Sequence, residues 1–199
     1  MKKKRVVISI LVLVFIVVGG VALGMTVRLR GSVRIRPAEQ HALPKQIVFY
    51  SQDDKEWAID YLGDSSYTIV NSGCLVTCIA SALSMNGDRV TPGELNALFS
   101  ENAVYDAEGN MQWANLAKLD GFQVEVYERV SEADIAQCLS EGHYPIVRVR
   151  VHGIGNIHYV LIVGTEDGEY LCMDPLRGEL TKLSDYLGLV YAVRCVWSS

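Results

Sequence analysis

The longest uncharged run of hydrophobic residues lies near the N-terminus. It extends from Val6 to Val27 and follows a basic start, Met1-Lys2-Lys3-Lys4-Arg5. At a rise of about 1.5 Å per residue, a helix of this length spans roughly 33 Å, which is enough to cross the hydrocarbon core of a bilayer. We therefore predict a single-pass membrane anchor over residues 1–27. A cleaved signal peptide is the alternative, because Ala22-Leu23-Gly24 is an acceptable cleavage site.

The residues after this run mix arginine, proline and polar side chains without periodicity. We interpret residues 28–46 as a linker and residues 47–199 as the folded domain. Basic residues flank the apolar run on both sides, and of the two orientations we favour a cytoplasmic N-terminus with the domain outside. This places the protein in the cell membrane with an extracytoplasmic domain, or in the secreted fraction if the first segment is cleaved.

Helical patterns dominate the first half of the domain. The stretch from Cys74 to Met85 is apolar on nearly every side, which predicts a buried helix that ends at Asn86-Gly87. Thr91-Pro92-Gly93-Glu94 has the capping threonine, the early proline and the glutamate of a helix start. Four smaller elements are also predicted: a strand over 47–50, a helical piece carrying Trp57, and helices over 111–119 and 131–142.

Residues from Phe122 to Glu128 alternate between apolar and polar, which is typical of a strand, and the last third of the chain after them is rich in predicted strands. The predicted strands cover 122–128, 145–151, 157–164, 169–174 and 189–197. Glu166-Asp167-Gly168 predicts a hairpin turn between two of them. Helices followed by an antiparallel sheet indicate an α+β domain, in which the helix from Cys74 can place its N-terminus against the strand of His158.

Charge is distributed unevenly along the chain. Of 18 Lys and Arg residues, eight lie in residues 1–36, where there is no acidic residue, so 10 basic residues remain against 23 acidic ones in 37–199, a net charge of −13. A domain this acidic repels nucleic acid, which we therefore do not expect as a partner. The membrane, through the N-terminal helix, is an expected partner.

The chain has five cysteines, an odd number, so in an oxidising compartment at least one thiol has no partner within the chain. Cys74 is our candidate for the free thiol. Cys78 lies one helical turn further on and is predicted to pack in the core. For Cys138, Cys172 and Cys195 we favour buried thiols, and one disulfide among them is the alternative.

Cys74 is the best candidate for a nucleophile, because it opens a helix directly after Gly73. A helix N-terminus and a nearby imidazolium both stabilise a thiolate. His158 is the best candidate for the imidazole, since it interrupts an apolar strand where an unpartnered polar group is costly. Asp174, at the end of the next strand, can accept a hydrogen bond from that ring. The alternatives are a core histidine bonded to a carbonyl and an Asp-Pro turn that only closes a strand.

Acyl transfer also needs hydrogen-bond donors for the oxyanion. The backbone N–H of Cys74 is one candidate, and the side-chain amide of Gln52 is the best-placed second one. The spacing of the cysteines and histidines does not match that of metal ligands, and the sequence has no glycine-rich phosphate loop. We therefore predict no metal and no cofactor.

Five short motifs follow one another in the domain. They are Gln52-Asp53-Asp54-Lys55-Glu56-Trp57-Ala58, Ser72-Gly73-Cys74, Thr91-Pro92, His158-Tyr159-Val160 and Asp174-Pro175-x-x-Gly178. This ordered set resembles the peptidase family C-thirty-nine-like domains, which are papain-like cysteine peptidases related to the bacteriocin-leader-processing domains of peptide exporters. The resemblance extends over about residues 47–197.

The resemblance implies a papain-like fold, with N-terminal helices packed on a C-terminal antiparallel sheet. It also implies a hydrolase that cleaves peptide or amide bonds of a peptide or protein substrate through an acyl-enzyme. Carried over by position, Cys74 is the nucleophile, His158 the base, Asp174 the orienting acid and Gln52 the oxyanion donor.

Two features differ from that family. Where such domains have Gly-Cys-Gly-Pro-Thr, this chain has Gly73-Cys74-Leu75-Val76-Thr77, and we expect Leu75 to narrow the approach to the oxyanion hole. The sequence also has one predicted span and no ATP-binding cassette, so leader cleavage coupled to export is not implied. Two other functions stay open: a catalytically silent domain that binds peptide or cell-wall material, and a peptidoglycan amidase-type hydrolase.

Overall fold

The computed structural model describes residues 2–198, with side chains from residue 11 to residue 198. Met1 and the basic side chains that follow it, part of the predicted anchor, lie outside the described part. The chain divides into two units, Met1–Ser32 and Val33–Ser199.

The first unit contains one long helix, α1 (Lys2–Leu29). Its stretch Leu11–Leu29 has a mean hydropathy of 2.3 and is long and apolar enough to cross a membrane. The apolar side chains of this stretch are exposed rather than packed in a core, as a lipid-facing surface requires.

The second unit is an α+β domain. Its five helices are α2 (Ile69–Ser72), α3 (Cys74–Met85), α4 (Pro92–Glu101), α5 (Trp113–Leu116) and α6 (Glu132–Ser140). Its eight strands are β1 (Val33–Arg34), β2 (Phe122–Val126), β3 (Pro145–Arg150), β4 (Ile157–Glu166), β5 (Glu169–Asp174), β6 (Glu179–Lys182), β7 (Leu189–Val190) and β8 (Ala192–Ser198). Two short 3-10 helices, Val151–Gly153 and Leu183–Tyr186, complete it.

Six strands form one antiparallel sheet in the order β2-β8-β3-β4-β5-β6. The predicted hairpin turn between β4 and β5 is confirmed. Asp167 and Gly168 have φ angles of 51° and 76°, the positive values that a two-residue turn of type I′ needs. Strands β1 and β7 pair separately.

The central sheet is covered on both faces. Helix α3 packs on one face, where Ile79 meets sheet residues such as Leu161 and Met173. On the other face Ile135 of α6 packs against residues such as Ile162. The predicted buried helix is therefore confirmed, since residues Val76 to Leu83 of α3 are buried.

The two predicted helix starts are confirmed. Thr91 accepts a hydrogen bond from Glu94 N–H, and the Glu94 carboxylate accepts one from Thr91 N–H, which makes a capping box before α4. Ser131 likewise caps α6 by accepting from Asp134 N–H.

Several predicted elements differ in the structure. Residues 47–50 are apolar but form no strand, because they pack on the core without a partner strand. Turns replace the predicted helical piece around Trp57, and the helix predicted over 111–119 shrinks to α5. The predicted strand over 189–197 is divided at Tyr191. Strand β6 was not predicted. It lies at the edge of the sheet and buries one of its four side chains, so its sequence has no clear apolar pattern.

The predicted linker is partly folded with the domain. Ile35 is 4% exposed, and its N–H donates to Gly188 O at 2.8 Å. The N–H of Thr165 donates to His41 O at 3.0 Å. From Val33 onwards the chain therefore belongs to the folded unit, because it covers apolar residues of the sheet that would otherwise face solvent.

Cys138 of α6 and Cys195 of β8 are joined by a disulfide. Our preference for buried thiols at these two positions was wrong, because their separation of 57 residues in sequence conceals that α6 packs on β8. Cys172 and Cys78 are buried free thiols, as predicted, and burial raises the pKa of both.

Candidate functional site

Cys74 lies at the start of α3, where a one-residue break separates that helix from α2. Gly73 occupies the break, and a Cβ atom there would lie 2.6 Å from Ile69 Cγ2 and 2.7 Å from Ile69 O. A glycine is therefore required at this position. The backbone N–H of Thr77 donates the first hydrogen bond of α3, to Gly73 O at 3.0 Å. The N–H of Cys74 precedes that bond and is available to a ligand.

His158 lies on β4 and is 2% exposed. Its Nε2 lies 2.7 Å from Asp174 Oδ1, so Nδ1 is the ring nitrogen left to act on Cys74, which lines the same pocket. Burial disfavours the charged ring, but the hydrogen bonds and charges of Asp174 and Cys74 outweigh it and raise the pKa of His158 from 6.5 to about 9. The ring is therefore an imidazolium at neutral pH.

Asp174 ends β5 and is 2% exposed. Besides the His158 ring, its Oδ1 accepts from Leu176 N–H at 2.9 Å, and its Oδ2 accepts from the Tyr186 hydroxyl at 2.7 Å. Burial alone would raise the pKa of Asp174, but these donors hold it below its usual value. Asp174 also closes the strand, because its carbonyl accepts from Gly178 N–H at 2.8 Å. The two interpretations of Asp174 are thus both realised.

Tyr186 is a site residue that the sequence analysis missed. It lies at the end of the 3-10 helix Leu183–Tyr186, is 2% exposed, and its hydroxyl is also 3.3 Å from Thr181 Oγ1. Burial raises the pKa of Tyr186, so the hydroxyl stays neutral and donates to Asp174. A buried tyrosine needs a polar partner, yet nothing in the sequence distinguishes this one from the chain's other tyrosines.

Gln52 is 3% exposed and is held from two sides. Its backbone N–H donates to Pro175 O at 2.9 Å, and its side-chain Nε2 donates to Val70 O at 2.7 Å. An amide nitrogen carries two hydrogens, so a second N–H remains for a ligand. These two bonds, rather than the strand predicted before it, position Gln52.

One pocket of about 290 Å³ brings Cys74, His158 and Gln52 together. Asp174 lies behind the His158 ring. The remaining lining residues are Asn71, Ser72, Val151, Asn156, Ile157, Tyr159 and Leu176. Leu75 is not among the residues that line this pocket and instead lines a larger neighbouring pocket of about 470 Å³.

The other histidines lie elsewhere. His41 stacks on Tyr170, and His143 stacks on Trp197 with ring centroids 4.5 Å apart. His152 belongs to the 3-10 helix Val151–Gly153. His158 is therefore the histidine that the fold brings to Cys74. Within residues 11–198 no group of three or more His, Cys, Asp or Glu side chains is arranged to hold a metal ion.

No protein-family model matches this chain, and no curated protein is significantly similar to it in sequence. The geometry of the pocket is therefore the basis for assigning a function.

Proposed function

We propose that this protein is a papain-like cysteine peptidase that hydrolyses peptide or amide bonds. The observation that carries the proposal is that one pocket holds Cys74, at the N-terminus of a buried helix, together with the His158 ring, which is hydrogen-bonded to the Asp174 carboxylate. An imidazolium beside a thiol at a helix N-terminus favours the thiolate, which is the reactive nucleophile.

The reaction then follows from the positions of these groups. The Cys74 sulfur attacks the substrate carbonyl carbon, and the negative charge moves to the carbonyl oxygen. The Cys74 N–H and the second N–H of Gln52 donate to this oxyanion. When the C–N bond breaks, His158 Nδ1 gives its proton to the leaving amine, and a thioester remains on Cys74.

A water molecule completes the cycle. His158 takes a proton from the water, whose oxygen attacks the thioester carbonyl. The C–S bond breaks, which releases the acid product and restores the thiolate beside the imidazolium. Asp174 holds the ring in the orientation that directs Nδ1 to Cys74, and Tyr186 holds Asp174.

An extracytoplasmic location of the domain is part of this proposal. Two observations support it: helix α1 is apolar and long enough to span a bilayer, and a disulfide joins Cys138 to Cys195. Disulfides persist in oxidising compartments and are rare in the cytosol. The N-terminal helix would then tether the enzyme to the outer face of the membrane.

The test is alkylation of Cys74 in the full-length protein, purified in detergent micelles. Iodoacetamide at pH 6 should modify Cys74 at least about tenfold faster in the wild type than in His158→Gln, because the variant lacks the imidazolium that the proposal makes responsible for the reactivity of the sulfur. Peptide mapping by mass spectrometry identifies the modified residue. Cys172→Ala is the matched control and should leave the rate unchanged. Equal rates in wild type and His158→Gln would rule out the activated thiolate.

Hydrolysis is tested with a synthetic peptide library and with purified cell wall, again on the full-length protein. We expect peptide cleavage by the wild type and none by Cys74→Ala. Release of cell-wall fragments without peptide cleavage would instead identify an amidase-type hydrolase. Rapid alkylation without cleavage of either material would identify a binding domain.

A further inference from the structure

The larger pocket beside the site contains two arginines that lie on neighbouring strands. Arg148 of β3 pairs with Ala192 of β8, and Arg194 of β8 pairs with Ile146 of β3. Residues paired across antiparallel strands share a face, so both arginines are on the same face as diagonal neighbours, about 7–8 Å apart at Cα. Both line the pocket of about 470 Å³.

Neither arginine takes part in the ion pairs found among residues 11–198. Arg194 donates to Val193 O at 2.7 Å and packs over the Trp113 ring, but its Nε is buried and has no hydrogen-bond partner in the described part of the chain. Arg148 is paired with Tyr159 of β4, so these two side chains share one face of the sheet. Two like charges held side by side without a carboxylate are costly, so a negative ligand would be stabilised there.

The rest of the domain makes this pair distinctive. Residues 37–199 carry 10 basic and 23 acidic residues, yet among the lining residues of this pocket the acidic one is Glu108, which is exposed. A basic pocket in an acidic domain therefore selects for a negative group locally, whereas the domain as a whole does not attract anions.

The pocket adjoins the Cys74–His158 pocket directly. Ser72 and Tyr159 line both pockets, and Gly73, which precedes Cys74, lines the larger one. A substrate residue held in the larger pocket would therefore lie within a few residues of the bond that Cys74 attacks.

We propose that the larger pocket binds a carboxylate of the substrate through Arg148 and Arg194, so that the enzyme prefers peptides with a carboxylate close to the scissile bond. This inference rests on the proposed function, because Cys74 defines the position that the pocket selects. A guanidinium recognises a carboxylate through paired N–H donors. The carboxylate belongs either to an Asp or Glu side chain or to the peptide C-terminus.

The experiment compares matched peptides with the full-length protein in detergent micelles. The peptides are four forms of one sequence that the enzyme cleaves: Glu or Gln near the scissile bond, each with a free or an amidated C-terminus. We expect a kcat/KM about 10- to 100-fold higher for the form with the recognised carboxylate, the size of one charge-assisted interaction. The comparison of the forms distinguishes a side-chain carboxylate from a terminal one.

Arg148→Gln and Arg194→Gln should each remove most of this preference while leaving cleavage of the all-amide peptide unchanged. If Arg194→Gln does not fold, Arg194→Lys replaces it in the test. Lysine keeps the positive charge but lacks the paired N–H donors of a guanidinium, so the preference should be reduced. Arg89→Gln, at an exposed position outside this pocket, is the matched control and should keep the full preference. A wild type that cleaves acidic and amide peptides equally well would overturn the inference while the proposed function stands.

A binding measurement separates the two proposals. Isothermal titration of Cys74→Ala with the Glu and Gln peptides reports the pocket without catalysis. If the wild type cleaves no library peptide, the titration uses two matched hexapeptides. One alternates Glu with Ala, and the other alternates Gln with Ala. Tighter binding of the Glu form, lost in Arg148→Gln, would support the pocket even if hydrolysis fails. Equal binding of the two forms would contradict it.

Discussion

The Nε2 atom of His158 and the Oδ1 atom of Asp174 are 2.7 Å apart, and each side chain is 2% exposed. Because water does not screen this pair, the carboxylate acts strongly on the ring. It fixes the ring orientation and, with Cys74, keeps the ring protonated well above the ordinary range of histidine.

Replacing Asp174 by Asn should therefore lower the pKa of His158. Burial disfavours the charged ring, and the main opposing group would be gone. We expect the ring to be largely neutral at pH 7 and alkylation of Cys74 at pH 6 to slow by about tenfold or more. Titration of the His158 ring by NMR with labelled histidine measures the change. The Asp185→Asn variant, at an exposed position, is the control. An unchanged His158 titration would contradict the prediction.

The pH dependence of stability follows from the same pair. The pKa of His158 is raised from 6.5 to about 9 on folding, so its stabilisation is fully present below pH 6.5 and is lost as the pH rises to about 9. The loss is on the order of 3 kcal/mol. Denaturant unfolding of the wild type between pH 6 and pH 9.5 measures it. His158→Gln should lose much less stability over this interval, and parallel curves for the two proteins would contradict the assignment.

Folding lowers the pKa of Asp174, whereas it raises that of His158, so the two groups change stability in opposite directions of pH. Its stabilisation is present above the ordinary carboxyl pKa and is lost as the pH falls further. The wild type should therefore have its highest stability between the ordinary carboxyl and histidine pKa values.

Tyr186→Phe should weaken the site without unfolding the domain. It removes the hydroxyl that donates to Asp174 Oδ2 at 2.7 Å and leaves a buried carboxylate oxygen with one donor fewer. We expect a loss of about 1.5–3 kcal/mol in the free energy of unfolding and a rise in the Asp174 pKa. Thermal unfolding and carboxyl titration by NMR measure these effects. Tyr61→Phe, at an exposed tyrosine, is the control, and equal effects of the two substitutions would argue against a role for Tyr186.

Gly73→Ala should displace the start of α3. The new Cβ would meet Ile69 at 2.6 Å from its Cγ2 and 2.7 Å from its backbone oxygen, so the backbone around Cys74 must move. We expect a loss of about 1–3 kcal/mol in stability and much slower alkylation of Cys74. Gly24→Ala, where a Cβ meets nothing within 4 Å, is the control. Unchanged stability and alkylation would show that the break tolerates a side chain.

The main elements of the site could be predicted because each leaves a local trace in the sequence. Cys74 opens an apolar helix after a glycine, and His158 interrupts an apolar strand, so both stand out from their surroundings. Asp174 follows from its Asp-Pro turn. The structure brings these three residues and Gln52 to one place.

The features that were missed depend on packing between distant segments. Tyr186 reaches Asp174 from a 3-10 helix whose sequence carries no periodic pattern. Arg148 and Arg194 become neighbours through the pairing of β3 with β8, which spacing in the sequence does not reveal. The same holds for the disulfide between α6 and β8.

Asp174 has two structural roles, because its backbone carbonyl closes the turn into β6 and its side chain orients His158. Local opening of this turn should therefore also break the hydrogen bond between Asp174 and His158, so that the order of the turn and the reactivity of Cys74 are lost together. During gradual denaturation, the exchange rate of the amide protons in the 174–178 turn should increase over the same denaturant range in which Cys74 loses its reactivity. Hydrogen exchange in this short turn would then report whether the site is intact.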